Sequence, residues 1–258
     1  MIPKTIHYCW FGKNEKPRLV QKCIESWVKK CPDYRIVEWN ESNFDITQNE
    51  YVKEAYEERR WAFVADYARL WVIYMHGGIY LDTDVELLKP LDDLLTESAF
   101  LGLEDTEMVA TGLGFGAEAG NPVIEAMLKV YKDLHFRNAD GSLDTLPCPV
   151  RNTKAIEHLL PEIMQFDRIT RIQDATIYPR EYFCPLSADG SEMKKTKNTY
   201  SIHWFTASWL TTEEKIVHDY RVFRGKCEKW LGKKYGSIVA RGIYLLRPAK
   251  RRVLKQTK

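Results

Sequence analysis

No run of about 18 or more apolar residues occurs in this 258-residue chain, so no transmembrane helix is expected. Nor does the chain open on the basic, apolar, small-residue order of a signal peptide. Met1 to Gly12 reads instead as a strand and turn, and the expected location is the cytoplasm. The six cysteines, at 9, 23, 31, 148, 184 and 227, include no Cys-x-x-Cys pair. That spacing indicates neither a zinc site nor a disulfide framework, and leaves reduced, mostly buried thiols. Internal repeats, low-complexity tracts and linkers are also missing.

Hydrophobic residues make up 45% and charged residues 29%, as in ordinary soluble proteins. The length suits one large α/β domain or two small ones. Charge is unevenly spread. Residues 221–258 hold thirteen Lys and Arg against one acid, Glu228, a surplus of twelve. The whole chain carries only +2, so residues 1–220 have a deficit of ten. We therefore expect an acidic body, 1–220, and a basic helical extension, 221–258, suited to an anionic surface.

Strand and helix signals alternate. Ile2 to Tyr8 and Arg35 to Trp39 read as strands, with a helix from Pro17 to Lys30 between them. Arg60 to His76 reads as a helix apolar nearly all round, hence buried on several sides. Gly77-Gly78 ends it in a left-handed cap, and Ile79-Tyr80-Leu81 follows as a short buried strand. Further on we expect a strand at Ala99 to Leu103, a helix from Pro122 to His135 and a long loop from Asn138 to Asn152. A strand at Tyr200 to Trp204 and helices at Thr212 to Leu231 and Ser237 to Leu246 complete the chain. The class is α/β.

The most informative residues are Asp82-Thr83-Asp84, directly after the apolar strand. In extended chain, side chains two apart share a side, so both carboxylates can face one hard divalent ion, Mg²⁺ or Mn²⁺, and a diphosphate that it binds. An acidic turn at a strand end is the alternative. In the preceding helix Asp66 and Arg69 are the only charges of the buried stretch, and three apart they share a face. Either they form a structural ion pair, or Arg69 holds Asp66 or a donor sugar whose hydroxyls Asp66 accepts.

The run Ala65-Asp66-Tyr67-Ala68-Arg69, followed by Tyr74-x-x-Gly77-Gly78-Ile79-Tyr80-Leu81-Asp82-Thr83-Asp84, resembles the signature of the Asp-x-Asp sugar-binding glycosyltransferases. These include glycosyltransferase family 32 and, more distantly, the clostridial glucosylating toxins. Ile2-Pro3-Lys4-x-Ile6-His7-x-x-Trp10-Phe11-Gly12 and Trp39-Asn40-Glu41-x-Asn43 add to the resemblance, which covers residues 1 to 120 well. It implies a GT-A fold, a Rossmann-like mixed sheet flanked by helices. It also implies a nucleotide-sugar donor, retention of anomeric configuration, and dependence on Mn²⁺ or Mg²⁺. Carried over by position, Trp10 would stack on the base and Asn43 would meet the nucleoside. Asp66 and Arg69 would grip the sugar, Asp82 would meet ribose, sugar and metal water, and Asp84 would bind the metal. Tyr200 to Trp209 resembles the family's late block, which makes His203 the third metal ligand and puts Ser208 and Trp209 at the leaving phosphate. Trp10 and Asn43 favour a UDP-sugar.

The acceptor is expected to be a glycan or lipid-linked saccharide in surface or capsular polysaccharide synthesis, with the basic extension docking a peripheral enzyme on an anionic membrane. The extension carries no nucleic-acid reading motif. Two rivals stand. Asp82-Thr83-Asp84-Val85 formally fits a haloacid-dehalogenase-type phosphohydrolase, and the chain could be a non-catalytic nucleotide-sugar or glycan-binding module.

Overall fold

The computed structural model describes residues 1–162, 165–206 and 212–245. The chain divides into two compact units, one of residues 1–185 with 195–204, the other of residues 186–194 with 205–258.

In the first unit a seven-stranded sheet has the order β2-β1-β3-β6-β5-β8-β7. Its strands are β1 (Thr5–Cys9), β2 (Arg35–Trp39), β3 (Gly78–Tyr80), β5 (Ala99–Gly102), β6 (Phe115–Ala117), β7 (Thr170–Ile172) and β8 (Ala175–Tyr178). β2, β1 and β3 pair in parallel, as do β5 and β8, while β6 runs against both β3 and β5 and β7 runs against β8. A second, two-stranded sheet joins β4 (Val85–Leu87) to β9 (Ser201–His203). The helices are α1 (Arg18–Lys30), α2 (Glu50–Glu57), α3 (Trp61–His76), α4 (Pro122–Lys129) and α5 (Cys148–Ala155). This mixed sheet flanked by helices is the expected GT-A architecture.

α3 is the central helix. It packs on α2, α4 and strands β1, β3 and β6, and Phe63, Val64, Leu70, Val72 and Ile73 are all buried. A helix with apolar residues on every side has nowhere else to go. It passes into β3 with no loop. Gly77 closes it by donating its N–H to the Ile73 carbonyl at 2.9 Å. Its φ of 63° with ψ of −173° lies outside the expected left-handed helical cap, in a region essentially reserved for glycine. α1 turns Val20, Cys23 and Trp27 inward and lies against β4, where the Trp27 indole donates to the Val85 carbonyl at 2.7 Å.

Several elements depart from the sequence expectations. α4 stops at Lys129, and the chain continues in tight turns in which Tyr131 and Lys132 donate to carbonyls three residues back. Glu54 receives the amides of Phe136 and Arg137 just beyond, which fixes the exit. The segment expected as a long loop contains α5, started by Pro147 and Pro149. α2, capped by the Asn49 side chain on the Val52 amide, was not among the expected elements, although Tyr51, Val52 and Ala55 mark its buried face. No disulfide occurs among the described residues, and four of the six cysteines are buried.

His7 shows how the first sequence block works. Its ring is buried between two partners. The Trp39 indole donates to Nδ1 at 3.0 Å, so Nε2 carries the proton and donates to the Gly77 carbonyl at 3.1 Å. Burial lowers its pKa to about 4, partly opposed by the Gly77 carbonyl. The depressed value means that His7 stabilises the fold above its unfolded pKa of about 6.5, and that this stability is lost as pH falls toward 4. Between pH 7 and 4 the wild type should lose about 3 kcal/mol more unfolding free energy than His7→Gln, measured by urea denaturation. Identical pH slopes would show that His7 is not held neutral.

Candidate metal and sugar site

β1, β2, β3, β5 and β8 run the same way, and their C-terminal ends form one edge of the sheet. Open α/β sheets bind ligands at such an edge. Trp10 follows β1, Asn43 lies in the loop after β2, and Asp82 and Asp84 follow β3.

Asp82-Thr83-Asp84 is not an extended strand end. The Val85 amide donates to the Asp82 carbonyl at 3.0 Å, closing a four-residue turn. The turn, rather than a strand's alternation, brings the two carboxylates to one place. β4 leaves it at once and pairs antiparallel with β9, setting Val85 opposite His203. The Trp204 amide donates to the Asp84 carbonyl at 3.0 Å, and the Trp204 indole donates to Glu86 at the same distance. A residue more than a hundred positions away is thus fixed over the acidic turn by backbone pairing.

Asp82, Asp84 and His203 each offer one ligand atom, and these atoms lie within 4.8 Å of one another. His203 Nε2 is 3.0 Å from Asp84 Oδ1. Burial works against charge on His203, but the Asp84 carboxylate prevails and holds its pKa above the ordinary value. Asp82 is pushed up to about 6, by burial first and then by Asp84, against the pull of Arg69 and His203. A buried and a half-buried carboxylate beside an imidazole fit a divalent ion. The oxygens suit a hard cation, the nitrogen tilts the set toward Mn²⁺, and the ion's charge would relieve the repulsion that raises Asp82.

Arg69 joins this site to the helix. Its Nη2 sits 3.1 Å from Asp66 Oδ1 and 3.0 Å from Asp82 Oδ1, and its Nε donates to the Ala65 carbonyl at 3.2 Å. The guanidinium lies over the Tyr80 ring, 5.1 Å from its centroid, and the Tyr80 hydroxyl donates to Asp82 Oδ1 at 3.1 Å. Asp66 and Arg69 are therefore no private pair, because Arg69 bridges two acids. Burial raises the Asp66 pKa although Arg69 and Cys148 draw it down.

Two neighbours escaped the sequence reading. Cys148, the first residue of α5, has its sulfur 3.6 Å from Arg69 Nη1. It is partly exposed. Gly112 sits so close that a Cβ there would fall 2.5 Å from Asp82 Oδ2 and 3.4 Å from Arg69 Nη1. Since Asp82 Oδ1 is already held by Arg69 and Tyr80, the carboxylate would have to turn. Gly112→Ala should weaken Mn²⁺ binding about tenfold or more while the melting curve stays near wild type. Calorimetric titration with Mn²⁺ checks this, and unchanged affinity would mean that Asp82 has room to spare.

The nucleotide-side residues are more loosely placed. The Trp10 indole donates to the Asn14 carbonyl at 2.7 Å, and Lys16 Nζ lies 5.7 Å from the ring centroid. Asn43 is exposed. Its Oδ1 accepts from the Asn40 amide and its Nδ2 donates to the Glu38 carbonyl, both at 2.8 Å, so it braces its own loop. Ser208 and Trp209 lie outside the described residues.

Residues 17–101 match the family described as the glycosyltransferase sugar-binding region containing DXD motif. An uncharacterized glycosyltransferase of Acanthamoeba polyphaga mimivirus is 25% identical over 217 residues, covering 81% of this chain and 84% of that protein. Inositol phosphoceramide mannosyltransferase 3 of Schizosaccharomyces pombe is 30% identical over 137 residues, and the match spans 52% of this chain but only 37% of that protein. Among solved structures, the PaToxG glycosyltransferase superposes with a TM-score of 0.51 at 20% identity, covering 62% of this chain and 70% of its own, a likeness of fold. Residues 17–101, which hold Asp66, Arg69, Asp82 and Asp84, are thus similar to the glycosyltransferase sugar-binding region containing the DXD motif, and the relatives that the chain matches are glycosyltransferases.

Proposed function

We propose that the protein transfers a hexose from a nucleotide sugar to a glycan or lipid-linked saccharide, with retention of configuration and dependence on Mn²⁺ or Mg²⁺. The observation that carries this is the gathering of Asp82, Asp84 and His203 ligand atoms within 4.8 Å, beside an arginine that bridges Asp66 and Asp82. A divalent ion held by those three residues would supply positive charge to the diphosphate. Asp66 and Arg69 orient the donor sugar, their geometry fixed in advance by Tyr80 and the Ala65 carbonyl. Trp10 offers an aromatic face to the base, and Asn43 presents a remaining Nδ2 hydrogen to the nucleoside. Ser208 and Trp209 are assigned to the leaving phosphate by resemblance. No carboxylate is assigned as nucleophile. The acceptor attacks on the face the phosphate leaves, and the phosphate takes its proton. A trapped covalent glycosyl-enzyme would overturn that step.

Trp10 and Asn43 favour a UDP-sugar, while the fungal relative is named a mannosyltransferase, so the donor panel must include GDP-mannose. Capsular or surface polysaccharide synthesis and a peripheral place on a cytoplasmic membrane face belong to the same reading. The test is nucleotide release from UDP- and GDP-hexoses, with Mn²⁺, with Mg²⁺ and with EDTA. One donor cleaved only with metal supports the proposal. Binding of a donor without turnover, even with an acceptor panel, would favour a binding module. Rapid hydrolysis of p-nitrophenyl phosphate with no donor cleavage would favour a phosphohydrolase.

A further inference from the structure

The second unit contains α6 (Thr212–Leu245), which is broken at Gly232. Gly232 has φ 75° and ψ 155°, far from helical values, and the two arms double back on each other. A Cβ on Gly236 would come within 2.4 Å of the Glu228 backbone, and the Tyr244 ring centroid is 5.2 Å from Tyr220 and 5.8 Å from Phe223. Gly236, Ala240 and Tyr244, four apart, make the buried stripe of the second arm. Small residues at two of these positions let the backbones approach. The described part of the basic helical extension thus has an inner seam and an outer surface.

That outer surface is unusual at the turn of the hairpin. Trp230 is 90% exposed, Tyr235 67%, Ile238 61% and Leu231 47%. Lys229, Lys233 and Lys234 stand among them. The nearest acid in sequence, Glu228, is already taken, by Arg224 Nε at 3.3 Å and by the Ser237 hydroxyl. Indole and phenol rings that are apolar in body and polar at the tip, flanked by flexible ammonium groups, match the headgroup boundary of a bilayer. The surplus of positive charge matches anionic lipid. Among the described residues no helix is long and apolar enough to cross a membrane, so the fit is to its surface.

We infer that the α6 hairpin turn, Trp230 to Tyr235 with Ile238, is a docking point for an anionic phospholipid bilayer. The hairpin dips its aromatic turn into the headgroup layer, and Lys233 and Lys234 engage the lipid phosphates, while Lys229 is held by the Ser191 carbonyl at 2.9 Å. This deepens the reading of a lipid-linked acceptor, but it is measured without it, since lipid binding and donor cleavage are separate readouts.

The test uses the full chain with vesicles of equal parts phosphatidylglycerol and phosphatidylcholine, and with vesicles of phosphatidylcholine alone, in a flotation assay. The wild type should float with the anionic vesicles and not with the neutral ones, and high salt should release it. Both Trp230→Ser/Tyr235→Ser and Lys233→Gln/Lys234→Gln should bind the anionic vesicles about tenfold less well or worse. Donor cleavage in solution should remain at the wild-type level in both, which shows that they are folded. Equal flotation with both vesicle types, flotation with neither, or full binding by the variants would overturn the inference. So would a dimer in sedimentation that the Trp230→Ser/Tyr235→Ser variant dissociates while lipid binding is absent. That would make the surface a contact between copies of the chain.

Discussion

Asp84→Ala should lower metal-dependent donor cleavage about a thousandfold or more while leaving the chain folded. Asp84 contributes one of three ligand atoms within 4.8 Å, and it is the partner of His203 at 3.0 Å. Without it, Asp82 and His203 remain, too few ligands to hold the ion against water. The stabilisation that an ion gives a departing diphosphate is worth several kcal/mol, and each 1.36 kcal/mol is about a factor of ten in rate. The fold should tolerate the change because the acidic turn is closed by backbone bonds, Val85 to Asp82 and Trp204 to Asp84, that do not use the side chain. Removing Asp84 also relieves part of the repulsion on Asp82. Residual cleavage in the variant should be the same with Mn²⁺ and with EDTA. Activity within tenfold of wild type, still lost with EDTA, would put the metal elsewhere.

Arg69→Met should cost stability as well as activity. Arg69 is 4% exposed and is the shared cation of the buried Asp66 and the half-buried Asp82. Methionine keeps much of the volume and removes the charge, leaving two carboxylates facing each other across an apolar side chain. Breaking a buried ion pair by deleting one partner costs about 3–5 kcal/mol, which in a domain of this size lowers the melting temperature by roughly 10 °C. Adding Asp66→Asn should recover part of that loss, because it removes one stranded charge. It should recover none of the activity, because the sugar grip is then gone. Thermal melts of the single and double variants, beside donor cleavage, separate the two effects. A single variant that melts like wild type would mean that the bridge is solvated and contributes orientation alone.

The parts of this architecture that were legible in the sequence are those with long, strongly patterned elements. α3 announced itself by apolar residues on every side, and its two charges stood out for that reason. Gly77-Gly78 marked its end, and β1, α1 and β2 followed from their spacing. Asp82 and Asp84 were readable as a pair, although the turn that gathers them was not, since a turn and a strand end look alike over three residues. What sequence could not supply was tertiary pairing. β4 is three residues long and has no periodicity to detect, yet its pairing with β9 is what carries His203 to the acids. Only resemblance pointed to that histidine. α5 was hidden because Pro147 and Pro149, read as loop residues, in fact start a helix. Cys148 was accordingly filed with inert thiols, although it lies beside Arg69. At Gly112 only geometry shows that the missing side chain makes room for Asp82.

The central claim is that Asp82, Asp84 and His203 form one divalent-ion site that serves a nucleotide diphosphate. Its most direct test is a titration of Mn²⁺ followed by the electron paramagnetic resonance signal of the free ion, with UDP or GDP present. Wild type, Asp84→Ala and His203→Ala should be compared. The wild type should bind one Mn²⁺ per chain, tightened by the nucleotide, and both variants should lose that binding. Equal Mn²⁺ binding by wild type and both variants would contradict it.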